Sequence, residues 1–247
     1  MTDVSIIIPT LNEGACLART LRYLSILEPP AKEIIVVDGG STDETVAIAQ
    51  SAITQSSKLS LLHSPKPGRS IQMNLGAKQA TGTFLCFVHG DTLVPDDLSK
   101  VIAETLANPK IAVGGFISLM AGEKTRWGTS LHNSLKTYYA PLFFRPLQFF
   151  KGLRLLFGDQ VMFCRQQAFV HCGGFDSSLS IMEDADLCVR LAQRGRIQQV
   201  NRIVQSSDRR VAKWGGFKAN MIYFCIGSLW GVGVSAKTLK QFYEDVR

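Results

Sequence analysis

Four short apolar runs near the start of the chain restrict the fold more than any other feature. Residues 4–9 (VSIIIP), 33–37 (EIIVV) and 83–88 (TFLCFV) are nearly continuous in apolar side chains, and 59–63 (LSLLH) is a weaker run of the same kind. Continuous rather than alternating runs suit strands covered on both faces. Between them, Leu17, Leu21 and Leu24 recur at helical spacing, as do Ile71 and Leu75 in residues 69–80 and the apolar positions of 93–106. Residues 41–44 (STDE) read as a helix start with acids in its first turn. Strand and helix therefore alternate, which predicts an α/β fold with a mostly parallel sheet and helices on both faces.

Farther on, residues 111–119 predict another strand, after which the pattern becomes irregular. A short strand is expected at 161–164, a helix opening at 182–186 (MEDAD) with Leu187 and Leu191 on one face, and a last strand at 197–204. No linker, repeat or low-complexity tract divides the 247 residues, so one domain over 1–247 is expected.

In such sheets ligands bind beyond the carboxyl ends of the strands. Three of the predicted strands end in polar residues: Asn12 and Glu13, then Asp38, then His89 and Asp91. A carboxylate there can hold Mg²⁺ or Mn²⁺ with few protein ligands, leaving phosphate oxygens and water to complete the shell. Asp91, which follows the most hydrophobic strand, is the candidate. Asp38 suits a hydrogen bond to a nucleobase or ribose, with turn formation as the plainer alternative. Arg69, beside Gly68, and Arg209 and Arg210 suit phosphates. His89 is either a phosphate or metal contact or a hydrogen-bonded strand-end residue. Glu183, Asp184 and Asp186 open a helix; one of them either accepts a proton from a hydroxyl or simply caps the first turn. No GxSxG, P-loop or GxGxxG pattern occurs, which weakens hydrolase, ATPase and Rossmann oxidoreductase readings.

Charge narrows the partners. Lys and Arg number 27 against 20 Asp and Glu, a net +7 that suits anionic ligands. Residues 194–218 hold seven basic residues and one acid, Asp208, as either a solvated face or a phosphate site. The basic residues trace no recognition helix, so nucleic acid is not expected. Cys16, Cys86, Cys164, Cys172, Cys188 and Cys225 form no CxxC pair or zinc pattern and read as buried thiols in a reducing compartment. The start has no secretory pattern, and the longest apolar run, 221–234, is short and interrupted by glycine, so a cytoplasmic protein is expected.

Together, residues 5–14 (SIIIPTLNEG), 34–43 (IIVVDGGSTD), His89-Gly90-Asp91 and 183–191 (EDADLCVRL) resemble the inverting glycosyltransferases of family 2 with the GT-A fold. The longer string 68–80 (GRSIQMNLGAKQA) is similar to a bacterial family-2-like subgroup. The resemblance implies a nucleotide-sugar-binding half at 1–110, an acceptor half at 111–210 and a C-terminal helical segment at 211–247. It implies that Pro9, Thr10, Glu13, Asp38 and Gly90 line the donor pocket and that Asp91 is the metal ligand of a DXD motif whose first Asp is replaced by His89. Asp184 would be the catalytic base, with Glu183 and Asp159 on the acceptor side. A QxxRW pattern does not follow Gln205, which implies transfer of one sugar rather than processive synthesis.

Residues 138–157 interleave Arg145, Lys151 and Arg154 with aromatic and leucine residues and contain no acid. Such a stretch suits a membrane interface at the inner face of the membrane, where a lipid-linked acceptor could be received, with 221–234 assisting. Packing as core or as a homodimer contact is the alternative. Two further readings are a nucleotidyltransferase, which would carry a glycine-rich loop where Leu11-Asn12-Glu13-Gly14 stands, and a nucleotide-sugar-binding module without turnover.

Overall fold

The computed structural model describes residues 2–243. The first four apolar runs become β1 (Val4–Thr10), β2 (Glu33–Asp38), β3 (Leu59–His63) and β4 (Phe84–Phe87). Every residue of β1 is buried because its two faces feed two cores. Ile6 and Ile8 join Leu17 and Leu21 of the helix Gly14–Ser25 on one side. Ile7, one position out of phase, packs with Met73 and Ala77 of the helix Arg69–Gln79 on the other. The period of two along a strand thus sorts one apolar run between two helical layers.

β5 (Ile111–Ala121), β6 (Phe163–Arg165) and β7 (Arg196–Ser207) complete a seven-stranded sheet of order β3-β2-β1-β4-β6-β5-β7. β1 is parallel to β2 and β4, β2 to β3, and β5 to β7. Only β6 is reversed, antiparallel to both β4 and β5. All strands but β6 therefore end at one edge of the sheet, and the chain entering β6 arrives from that same edge.

Three local differences from the expected elements have physical causes. The helix expected from residue 93 begins at Leu98. Leu93 instead exchanges two backbone hydrogen bonds of 2.8 Å with Gln205, and Pro95 favours extended backbone before it. The helix expected at 41–44 begins at Thr45, because Asp38 and Asn12 accept hydrogen bonds from Gly40, Ser41 and Thr42 and hold them in a loop. The irregular region holds an 18-residue helix, Trp127–Phe144, followed by Pro146–Phe150. Its buried face is polar, with Ser130, Asn133 and Thr137 turned inward, while Trp127 and Leu131 are exposed. The helix therefore turns hydrophilic residues to the core and apolar ones outward, the reverse of a core-serving helix. No helix among the described residues is long and apolar enough to cross a membrane.

Candidate active site

The carboxyl edge of the sheet opens into a cavity of about 700 Å³. Pro9, Thr10 and Glu13 reach it from the end of β1, and His89, Gly90 and Asp91 from the end of β4. Arg69 lines it from a helix start. Gly158 and Asp159 enter with the segment leading to β6. Glu183 and Asp184 face it from the first turn of the helix Glu183–Leu191, and Arg209 and Arg210 from the turn after β7. Residues from separate strand ends thus converge because six strands point the same way.

Arg209 closes one side of the cavity floor. Its Nη2 donates to Asp91 Oδ2 at 2.7 Å and to the two Glu13 oxygens at 2.8 and 3.0 Å. Partial burial opposes the guanidinium charge, but Asp91 and Glu13 outweigh it and raise the Arg209 pKa. A residue expected to meet phosphate is here the cation that holds two strand-end carboxylates together. Arg69 likewise pairs with a carboxylate, that of buried Glu183. Burial works against its charge, and Glu183 and Asp184 more than compensate.

Asp184 is the contrasting acid. Burial, the adjacent Glu183 and Asp159 push its pKa up to about 7, against the opposing pull of Arg69 and a hydrogen bond from the Gly158 backbone. Gly158 is required at this point. A Cβ on it would lie 2.6 Å from His89 Nε2 and 3.0 Å from Asp184 Oδ2. Burial, then Arg69, lower the His89 pKa, so the imidazole is neutral near pH 7. Met182, before Asp184's helix, holds a left-handed backbone with φ 64°, an unfavourable conformation for a side chain of this kind. Asp186, the third acid of the cluster, pairs with Arg190 one turn on.

Two expected site residues already have partners within the protein. Asp38 is buried and does not line the cavity. Its carboxylate accepts from Gly40 N at 2.9 Å, from Ser41 N at 3.1 Å and from Ser41 Oγ at 2.5 Å. These bonds build the loop after β2. Arg210 donates through Nη1 to the Tyr243 hydroxyl at 2.5 Å and lies over that ring. Conversely, Gln72 and Lys136 line the cavity without having been singled out. Gln72 Nε2 donates at 2.7 Å to both Thr10 O and Val37 O, tying the ends of β1 and β2. Burial pushes the Lys136 ammonium down to about 8, with Asp159 and Asp184 opposing the shift, and it sits 3.7 Å over the Phe157 ring. Asp159 Oδ2 accepts from Asn133 Nδ2 at 2.5 Å. The six cysteines are free thiols, but only Cys86, Cys164 and Cys188 are buried as expected; Cys16 and Cys172 are half-buried and Cys225 is exposed.

The donor set bears on a metal. Among the described residues no group of three or more His, Cys, Asp or Glu is arranged to hold one. Asp91 offers a hard carboxylate oxygen and His89 a neutral ring, two positions apart on one cavity loop. That is too few for a protein-only cage and fits an Mg²⁺ or Mn²⁺ whose remaining ligands are diphosphate oxygens and water.

Comparison with known proteins follows the same outline. The PGL/p-HBAD biosynthesis glycosyltransferase of Mycobacterium bovis (strain BCG / Pasteur 1173P2) is 36% identical over 128 residues, half of each chain. The chain spans 63% or less of the length of the curated relatives it matches. The mannosyltransferase PcManGT of Pyrobaculum calidifontis, solved with GDP-Man and Mn²⁺, superposes with a TM-score of 0.71 at 18% identity, over 100% of this chain and 66% of that one. Glucosyl-3-phosphoglycerate synthase of Mycobacterium tuberculosis, solved with Mn²⁺, UDP and phosphoglyceric acid, gives 0.65 at 18% identity over 95% and 80%. At that identity the likeness is one of fold. The sequence profile described as Glycosyl transferase family 2 matches residues 5–175, from β1 through β6. Asp184 and Arg209 lie beyond it. On that match and this sheet, the chain belongs to glycosyl transferase family 2 and has its GT-A fold.

Proposed function

We propose that this chain moves one sugar from a nucleotide-sugar donor to an acceptor hydroxyl, with inversion at the anomeric carbon and with Mg²⁺ or Mn²⁺. The observation that carries the reading is Asp184, a buried carboxylate whose pKa is raised to about 7, facing the same cavity as Asp91. A general base works best when its pKa lies near the working pH. Glu183 beside it is occupied by Arg69, so the two adjacent acids have different duties. Asp184 takes the acceptor's proton as the hydroxyl oxygen forms its bond to the anomeric carbon. The bond from that carbon to the diphosphate breaks on the opposite side, and one displacement inverts the centre.

Asp91 would hold the divalent ion, which supplies neutralisation of charge on the departing nucleoside diphosphate. Arg209 adds a second positive charge at that end of the cavity. The neutral His89 ring leaves the cation count there to Arg209 and the ion. Support for a nucleotide donor comes from the neighbours solved with GDP-Man and with UDP, and support for a metal from the Mn²⁺ in both. Six free thiols suit the reducing cytoplasm.

A thermal-shift screen with UDP, GDP, CDP and dTDP, each with and without Mn²⁺, tests the reading. One nucleotide should stabilise the protein only with metal, and Asp91→Ala should abolish the effect. No shift with any nucleotide, or a shift indifferent to Asp91→Ala, would overturn it.

A further inference from the structure

We propose that the helices Trp127–Phe144 and Gly216–Gly231 form a face that docks on an anionic lipid bilayer. The two lie side by side and run in the same direction. His132 Nδ1 is 3.1 Å from Asn220 Oδ1, Lys136 lies over the Tyr223 ring, and Gly231 abuts the Phe144 ring. The line of contact thus rises through 132, 136 and 144 on one helix and through 220, 223 and 231 on the other.

Each helix carries an exposed apolar stripe beside that line. On the first it is Trp127, Leu131, Leu135, Tyr138 and Leu142, spaced three or four apart. On the second it is Phe217 and Met221, continued by Phe224, which also lines the cavity. The first stripe runs one position before its contact line, at 131 and 135. The second runs one position after, at 217, 221 and 224. One position is a rotation of about 100°. For parallel neighbours, opposite offsets turn both stripes to the same side of the pair. The opposite side of the first helix carries Ser130, Asn133 and Thr137, all buried against the protein. The pair is therefore apolar outward and, on its first helix, polar inward, the reverse of a helix that serves a protein core. Leu131 is 62% exposed and Phe217 83%, in a contiguous face of the kind that marks an interaction surface.

Charge selects the occupant. Residues 124–158 contain six Lys or Arg and no acid, and 209–243 again six and none. Lys124, Lys151, Lys213 and Lys218 are exposed. An apolar strip with exposed lysines on both neighbouring segments is complementary to anionic headgroups above acyl chains. It is not complementary to itself, since a second copy would bring like charges together. Among the described residues no helix can span a bilayer, so the face would lie in the interface. The inner sides of the same helices, at Asn133, Lys136 and Tyr223, wall the catalytic cavity. Docking would hold the cavity's acceptor side at the lipid surface, where, on the transferase reading above, a lipid-linked acceptor is presented.

The test is flotation of the full chain with phosphatidylcholine vesicles, with and without phosphatidylglycerol, for wild type and for the pair Leu131→Glu/Phe217→Glu. Wild type should float with the anionic vesicles, less so at high salt, and the pair should lose roughly tenfold or more of the bound fraction. Its melting curve and any metal-dependent nucleotide shift should be unchanged, because neither residue lines the cavity. If the pair does not fold, Leu131→Ala/Phe217→Ala should give a smaller loss in the same direction. Wild type failing to float, or the variants floating as well as wild type, would overturn the proposal. So would a dimer that the pair disperses in the absence of any vesicle binding. Flotation without a nucleotide shift would leave the docking face standing and remove the transferase reading instead.

Discussion

At the scale of single residues the site is set by which carboxylates own a cation. Glu13 and Asp91 share Arg209, Glu183 has Arg69, and burial lifts Asp184 to about 7. Asp184→Asn should therefore lower kcat about 10²- to 10⁴-fold while leaving nucleotide binding intact, and a rate assay beside the thermal shift reads both. The wild-type rate should climb with pH through about 7 as the base deprotonates. The same shift acts on stability. A carboxyl raised from 3.8 contributes fully below that value and loses its contribution as pH rises through about 7. Asp184→Asn stays neutral, so thermal melts should show it more stable than wild type above pH 7, by on the order of 1–3 kcal/mol, and similar near pH 4. A second expectation concerns Arg209→Gln, which leaves Glu13 and Asp91 facing each other. Urea titration should show a loss of about 1 kcal/mol, modest because the guanidinium is a third exposed. Of these residues, Glu13, His89 and Asp91 were legible in the sequence because each ends an apolar run. The elevation of Asp184 was not, since it comes from burial and Glu183 and, in smaller part, from Asp159, brought in from another part of the chain. Lys136 was invisible for a related reason: it sits on a helix whose apolar stripe faces away from the core.

Among the elements, the first three strands were legible almost to the residue, the later strands less closely and the helices unevenly. An apolar run with turn residues at its end has few alternatives, and β1, β2 and β3 follow it closely. Helices that serve the core announce themselves by leucine spacing, as Gly14–Ser25 does. Trp127–Phe144 reverses the rule and was read as irregular. Asp38, a strand-end acid read both as a ligand contact and as a turn former, ties down Gly40 and Ser41. The seating of Arg69–Gln79 on the sheet depends on Gly76, whose Cβ would come within 2.5 Å of Ile7 Cγ2 and 3.1 Å of Val37 Cγ2. Gly76→Ala should destabilise the fold by about 1–3 kcal/mol through overpacking, seen as a lower urea midpoint at unchanged slope. Because Gln72 sits on the same helix and ties the ends of β1 and β2, nucleotide affinity should weaken alongside.

For the whole molecule, the edge where six strands end gathers Glu13, His89 and Asp91 of the first half and Asp184 of the second into one cavity. A nucleotide that binds only the folded state should add about 2.7 kcal/mol of stability at a hundredfold excess over its Kd, which makes thermal shift a sensitive screen. The sheet that makes this possible has one weak place. β6 is three residues long, lies antiparallel between β4 and β5, and meets β5 only at Val113 and Gly114, whereas β5 and β7 run together from Ile111 to Ala121. In mechanical terms β6 is a seam. Pulled apart in an optical trap, the molecule should tear first along Phe163–Arg165, with β1 to β4 leaving as one piece and β5 with β7 as the other, and the two walls of the cleft would part with them.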